Sequence, residues 1–119
     1  VQTVLTPKNG CLIVEQPEIH LHPAAQANLA DLFVHYANEG KQLVVETHSE
    51  HLLLRVRRRI AEGKISPDKV RIFLVEKSGT STRIRCLKLE KNGHFQRWPK
   101  GFFEEGYKEA MAIAEAQLK

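Results

Sequence analysis

The chain lacks any apolar run near the roughly 18 residues that a membrane-spanning helix needs, and its opening residues show no basic-then-apolar leader pattern. These absences argue against membrane insertion and secretion and lead us to expect a cytoplasmic protein with no membrane partner. Cysteine is almost missing too. Cys11 and Cys86 stand far apart, each in a strand-like apolar run, and read as two buried free thiols in a reducing compartment. No internal repeat and no low-complexity segment is present. What remains is 119 residues, 42% hydrophobic and 27% charged, which suits one soluble globular domain and is too short for two ordinary ones.

Charge is unevenly spread. The net charge is +4, yet residues 1–50 are acidic on balance, 51–101 strongly basic, and 102–119 acidic again. A polyanion, nucleic acid or nucleotide phosphate, is the natural partner of the basic middle; a solvated face of scattered lysines is the plainer reading.

Residues 1–10, "VQTVLTPKNG", read as a helix tail closed by an Asn-Gly turn. "CLIVE" reads as a strand buried on both faces. Pro23 suits the first position of a helix, after His22. Ala25, Leu29, Leu32, Phe33 and Tyr36 then keep helical spacing until "NEG" at 38–40. "QLVVET" reads as a second buried strand, followed by a helix from near Ser49 to Gly63 with Leu52, Leu53, Val56 and Ile60 on one side. "VRIFLVEK" reads as a third strand. In "TRIRCLKLEKNG", Ile84, Cys86, Leu87 and Leu89 are set against Arg83, Arg85, Lys88 and Glu90, as in a strand running into an Asn-Gly turn. "HFQRWPKGFF" is an aromatic-rich loop, and 103–117 a helix with Tyr107, Met111 and Ala114 on one side.

This order predicts an α/β fold, with three parallel strands joined by right-handed crossover helices and a small hairpin-and-helix appendage packed on them. The boundary is placed between 1–77 and 78–119. In such sheets the chemistry lies at the carboxyl ends of the strands, where Glu15-Gln16 and Glu46-Thr47-His48 fall.

An acid leaving an apolar strand is costly unless partnered, and a divalent cation or its bound water is one such partner. Glu15 suits that role. Gln16 or Glu18 could orient an attacking water, as in phosphoryl-transfer enzymes. A carboxylate that only caps the next helix is the alternative. His48 can contact a phosphate or relay a proton, because imidazole changes charge near neutral pH. Thr47 and Glu50 in "THSE" also fit a helix capping box. A transition-metal site would have to draw on Glu18, His20, His22, His48, Glu50 and His51. His20 and His22 are too close for the i, i+4 zinc arrangement, and no third ligand has a defined spacing. On the second helix Arg55, Arg58 and Arg59, with Glu62, lie away from the apolar side, and Arg57 at its flank. Such arginines bind phosphate or pair with neighbouring acids, and spacing alone does not choose.

"CLIVEQPEIHLHPAAQ" at 11–26 followed by "LVVETHSEHLL" at 43–53 resembles the Walker B, D-loop and switch-histidine run of ATP-binding-cassette-type ATPases. The branch resembled is that of SMC, RecF and overcoming-lysogenisation-defect proteins. "EQPEIHLHP" and "ETHSEHLLLRVRRRI" are similar to one group within it, predicted bacterial and archaeal ATPases with a small uncharacterised C-terminal domain, whose end "WPKGFFEEG" resembles. The resemblance implies the C-terminal lobe of a P-loop ATPase sheet. It makes Glu15 the Walker B acid that supports Mg2+ and puts Gln16 where a catalytic glutamate is usual. Ile19, His20, Leu21 and His22 become the D-loop of an ATP-sandwiched dimer, and His48 the switch histidine that senses the γ-phosphate. ATP and Mg2+ are the cofactors so implied for a full-length parent. The implied partners are a second copy or the N-terminal part of the ATPase, and beyond them DNA or an effector protein, in DNA maintenance or phage defence.

Two features depart from that pattern. Gln16 cannot act as a carboxylate base; it can orient water or leave turnover slow. No G-x-x-x-x-G-K-[ST] phosphate loop and no glycine-rich signature is present. The chain therefore looks like the C-terminal portion of a longer ATPase. Alone it is expected neither to bind ATP tightly nor to hydrolyse it, and to expose strand edges and apolar surface that favour association. Two other classes compete: a nucleic-acid or protein-binding module using the basic 51–101 segment, and a Toprim-like nuclease remnant with Glu76 of "FLVEKSGT" as the strand-ending acid. The second lacks a downstream Asp-x-Asp.

Overall fold

The computed structural model describes residues 10–97 and 102–118, so the expected helix tail before Gly10 and the "WPKG" segment lie outside the described residues. β1 (Cys11–Glu15) and β2 (Gln42–Glu46) pair in parallel, in register from Cys11↔Gln42 to Glu15↔Glu46. α1 (Pro23–Asn38) joins them and α2 (Glu50–Ala61) follows β2. Pro23 opens α1 as expected, since a first-turn proline has no N–H to waste and a φ suited to the helix. α2 is capped by Ser49, whose hydroxyl accepts from Leu52 N–H; Thr47 is not the cap but accepts from Ser49 N–H.

The third strand, β3 (Ile72–Ser78), departs from the expected parallel sheet. It pairs antiparallel with β4 (Ser81–Leu87), from Ile72↔Leu87 to Ser78↔Ser81. Gly79, at φ +61, opens the two-residue turn, the first-position glycine of a type II′ hairpin. A tight turn between two alternating runs fixes the pairing locally, before any crossover could bring β3 beside β2. The mixed α/β character stands, as a parallel pair and a separate hairpin.

Two apolar clusters hold these elements together. Leu29, Ala30 and Phe33 of α1 meet Leu52 of α2, with Leu21, Leu43, Val45 and Val56 against them. Val34, Ile60, Ile65, Leu87, Leu89 and Phe95 form the second, with Ile72 and Leu74 of β3 packed on it. Burying each large side chain is worth about 1.5–3 kcal/mol over leaving it exposed, so the two clusters seat the hairpin against the helix pair. α1 buries Leu29, Ala30, Phe33 and Val34, whereas Leu32, expected inside, is 40% exposed.

Other expectations of burial fail for one reason. β1 and β2 are covered on one face only, leaving Ile13 72% and Val44 50% exposed. The hairpin does the same with Phe73, Val75 and Ile84. Both cysteines are free, as expected, but exposed, because Cys11 and Cys86 sit on those uncovered faces. Within β4 the inward set is Arg85 and Leu87, so Ile84 and Cys86 point away from the core. α3 (Glu104–Gln117) leaves Met111 and Ala114 exposed, and the side chain of Tyr107 lies outside the described residues. No helix among the described residues is long and apolar enough to cross a membrane.

Candidate functional site at the strand ends

β1 and β2 end level with each other, which brings Glu15 and Glu46 side by side on the exposed face. Adjacent strands lie about 4.8 Å apart, so two like charges meet there at short range. Neither carboxylate makes a hydrogen bond or ion pair among the described residues, and helix capping does not explain Glu15.

The chain then leaves β1 through a strained turn. Gln16 has φ +42 and His20 φ +68, left-handed values costing roughly 1 kcal/mol or more for residues with a Cβ. Gln16 is held by its N–H donating to Glu46 O at 2.7 Å, which extends the parallel ladder by one bond. Ile19 N–H returns to Gln16 O and Leu21 N–H to Glu18 O, closing the turn. Ile19, His20 and His22 are exposed on it, and Leu21 is half-buried against the first apolar cluster.

This turn folds Glu18 inward, where it is 9% exposed. Its Oε1 accepts from His48 N–H at 2.9 Å, across 30 residues of sequence. Burial pushes the Glu18 carboxyl up, but hydrogen bonds from the His48 and Glu18 backbone N–H groups, the Thr47 side chain and the charge of His48 outweigh it. The net direction is below the ordinary glutamate value. Gln26 continues the stitching, donating to Leu21 O at 2.9 Å and accepting from Ser49 Oγ at 2.5 Å. The turn after β1 and the loop after β2 are thus sewn into one unit, with the His48 side chain left exposed on it.

The structure therefore brings Glu15, Gln16 and His48 to one end of the parallel pair, together with Glu18, which the sequence offered alongside Gln16 as a residue to orient water. Glu46 was placed at this end by the sequence without a role of its own, and the Gln26 contacts to Leu21 and Ser49 were not anticipated. No group of three or more His, Cys, Asp or Glu among the described residues could hold a metal ion on its own.

The arginines of α2 have a different setting. Arg59 bonds Asp31 at 2.8 and 3.1 Å and Glu62 at 2.6 Å, while Arg55 bonds Asp31 at 2.7 Å and Arg58 bonds Glu62 at 3.3 Å. The Arg59 hydrogen bond holds the Asp31 carboxyl below its usual range against the opposing effect of burial, with Arg55 adding to it. Arg59 itself is raised above its ordinary value by the same partners. Arg57 donates to Gly93 O at 2.8 Å and stacks 5.2 Å from the Phe95 ring centroid, tying the 88–97 loop to α2. These guanidiniums pin α2 to α1 and to the following loop. Glu76, two residues before the end of β3, is paired with Arg85 at 3.5 Å.

With that geometry in place, comparison with known families adds two findings. Residues 5–53 match the family model described as an AAA ATPase domain. That span holds both strand ends and supports a segment of AAA ATPase type. Residues 65–113 match the model of a protein family of unknown function, DUF3696. The arginines 55–59 fall between the two matches. Comparison with curated proteins and with solved structures gave no match.

Proposed function

We propose that residues 10–53 form the strand-end half of an ATPase nucleotide site, resembling the Walker B to switch-histidine run of SMC-, RecF- and overcoming-lysogenisation-defect-type proteins. One observation carries this: β1 and β2 end in register, so that Glu15, Gln16 and the His48 loop share one edge, with Gln16 held in a left-handed conformation. Strained backbone at a strand end is where phosphate chemistry is commonly built.

The donor set fits magnesium. Mg2+ takes oxygen ligands, keeps several waters, and binds through one or two carboxylates plus substrate phosphates, not a closed protein cage. Glu15, with Glu46 beside it, supplies that much and no more. Bound there with ATP, the ion would neutralise phosphate charge. The chain's own residues do the rest. With the ion and nucleotide bound, Glu15 would offer its carboxylate to the metal, Gln16 would orient a water through its amide, and His48 would donate to the terminal phosphate. The turn of Ile19, His20, Leu21 and His22, exposed beside them, faces the second copy of a nucleotide-sandwiched dimer. DNA or an effector protein is the object of the work in the parent.

This chain has no phosphate loop, and in our reading it neither holds ATP tightly nor hydrolyses it alone. The test supplies a phosphate-loop ATPase segment, fused or as a second chain, and measures Mg-dependent ATP hydrolysis. Turnover that collapses with Glu15→Ala and with His48→Ala is expected. Turnover indifferent to both would overturn the reading.

A further inference from the structure

Among the side-chain nitrogens and oxygens of the described residues, one buried atom has no partner: Glu18 Oε2. The other oxygen of the same carboxylate accepts from His48 N–H. A buried carboxylate oxygen left bare costs about 1–3 kcal/mol or more, so native proteins satisfy such atoms with protein or ordered water. Burial alone would raise the Glu18 carboxyl, but the His48 and Glu18 backbone N–H groups, the Thr47 side chain and the charge of His48 set it below the ordinary glutamate value, which favours the ionised form. An ionised oxygen in that position needs a donor.

We infer that Glu18 is a positioning residue for the His48 loop, and that its inner oxygen Oε2 holds a bound water at the strand-end site. A water needs roughly 2–4 polar partners to stay, and the Thr47 side chain and His48 stand beside this carboxylate to help supply them. Glu18 then does two things with one side chain. Oε1 sets where His48 sits relative to Gln16, and Oε2 sets where a water sits relative to both. This holds whether or not the parent hydrolyses ATP.

The experiment is nuclear magnetic resonance on the intact chain. The Glu18 carboxyl carbon and the His48 amide proton are followed across acidic pH, together with water-to-amide cross-relaxation at His48. Both shifts should titrate together with one midpoint below the ordinary glutamate value, and a long-lived water should register at the His48 amide. In Glu18→Gln, which keeps an accepting oxygen, the acid-range movement of the His48 amide should vanish while the fold persists. In Glu18→Ala the same amide should exchange about tenfold faster or more. A His48 amide shift indifferent to the Glu18 titration would overturn the positioning role. A water signal that is absent, with Thr47→Val abolishing protection of the carboxylate instead, would show that the Thr47 hydroxyl fills Oε2 and would overturn the bound water.

Discussion

Glu15 and Glu46 are register partners at the carboxyl ends of β1 and β2, both exposed and neither paired with a cation among the described residues. Like charges opposed across strands are destabilising by roughly 0.2–1 kcal/mol. Glu46→Gln should therefore stabilise the metal-free chain by about 0.5 kcal/mol, read from its urea midpoint. Magnesium should narrow that gap by favouring the wild type, because the ion gains from two carboxylates where the variant offers one. A Glu46→Gln chain that is less stable would mean that the two acids do not repel.

Acid should weaken the fold through Glu18 and Asp31, whose folded-state carboxyls both sit below their ordinary values. The unfolded chain then takes up these protons first as pH falls. Their stabilisation is complete above the unfolded carboxyl range, about pH 4–4.5, and is lost as pH drops through the lower folded values. Urea midpoints should fall steeply below about pH 4.5, and less steeply in Glu18→Gln. An unchanged slope in that variant would remove Glu18 from the account.

The arginine cluster is expected to serve stability more than nucleic-acid binding. Asp31 joins Arg55 and Arg59 across the α1–α2 interface, and Glu62 holds Arg58 and Arg59 along the helix. Asp31→Ala and Arg59→Ala should each lower the urea midpoint, with the double variant losing less than the two singles added. DNA binding by this chain should be weak and should not depend on Arg55, Arg58 or Arg59. Strong, salt-sensitive binding lost with those three would favour the binding-module alternative instead.

Much of the candidate site was legible because its signals are local. "CLIVE" and "QLVVE" are short apolar runs ending in acids, and their strand ends follow directly. The partner of β3 was not legible, since alternation says that a segment is a strand but not which strand it pairs with. Gly79 and the two-residue turn decide that. Ile84 and Cys86 were assigned to the wrong face for a related reason: the register is set from the turn, and a shift by one residue reverses every side chain. The burial of Glu18 was hidden because it depends on the left-handed Gln16 and on a loop 30 residues away.

Gly93 joins the loop after β4 to α2. It is buried at φ +81, its carbonyl accepts from Arg57, and a Cβ there would run into the Arg57 carbonyl oxygen. That oxygen belongs to the backbone and cannot step aside as the end of a flexible side chain could. Gly93→Ala should thus cost about 2–3 kcal/mol, combining left-handed strain with a backbone clash. Thermal unfolding checks it, and a loss under about 0.5 kcal/mol would mean that the loop does not rest on α2.

Association should be governed by the uncovered strand faces. Ile13 and Val44 lie side by side on β1–β2, and Val75 and Ile84 on the hairpin, all at least half exposed. Parallel strands are almost always covered on both faces, because crossover connections put helices there. Here α1 and α2 take one face and nothing among the described residues takes the other. Light scattering should accordingly show self-association that grows with concentration. Ile13→Ser with Val44→Thr should reduce it and change stability little, since these side chains already meet solvent. The paired change Val75→Thr with Ile84→Thr separates the two faces: whichever pair restores a monomer marks the surface in use. A wild-type chain that stays monomeric at high concentration would show that the exposed apolar area is too small to drive contact.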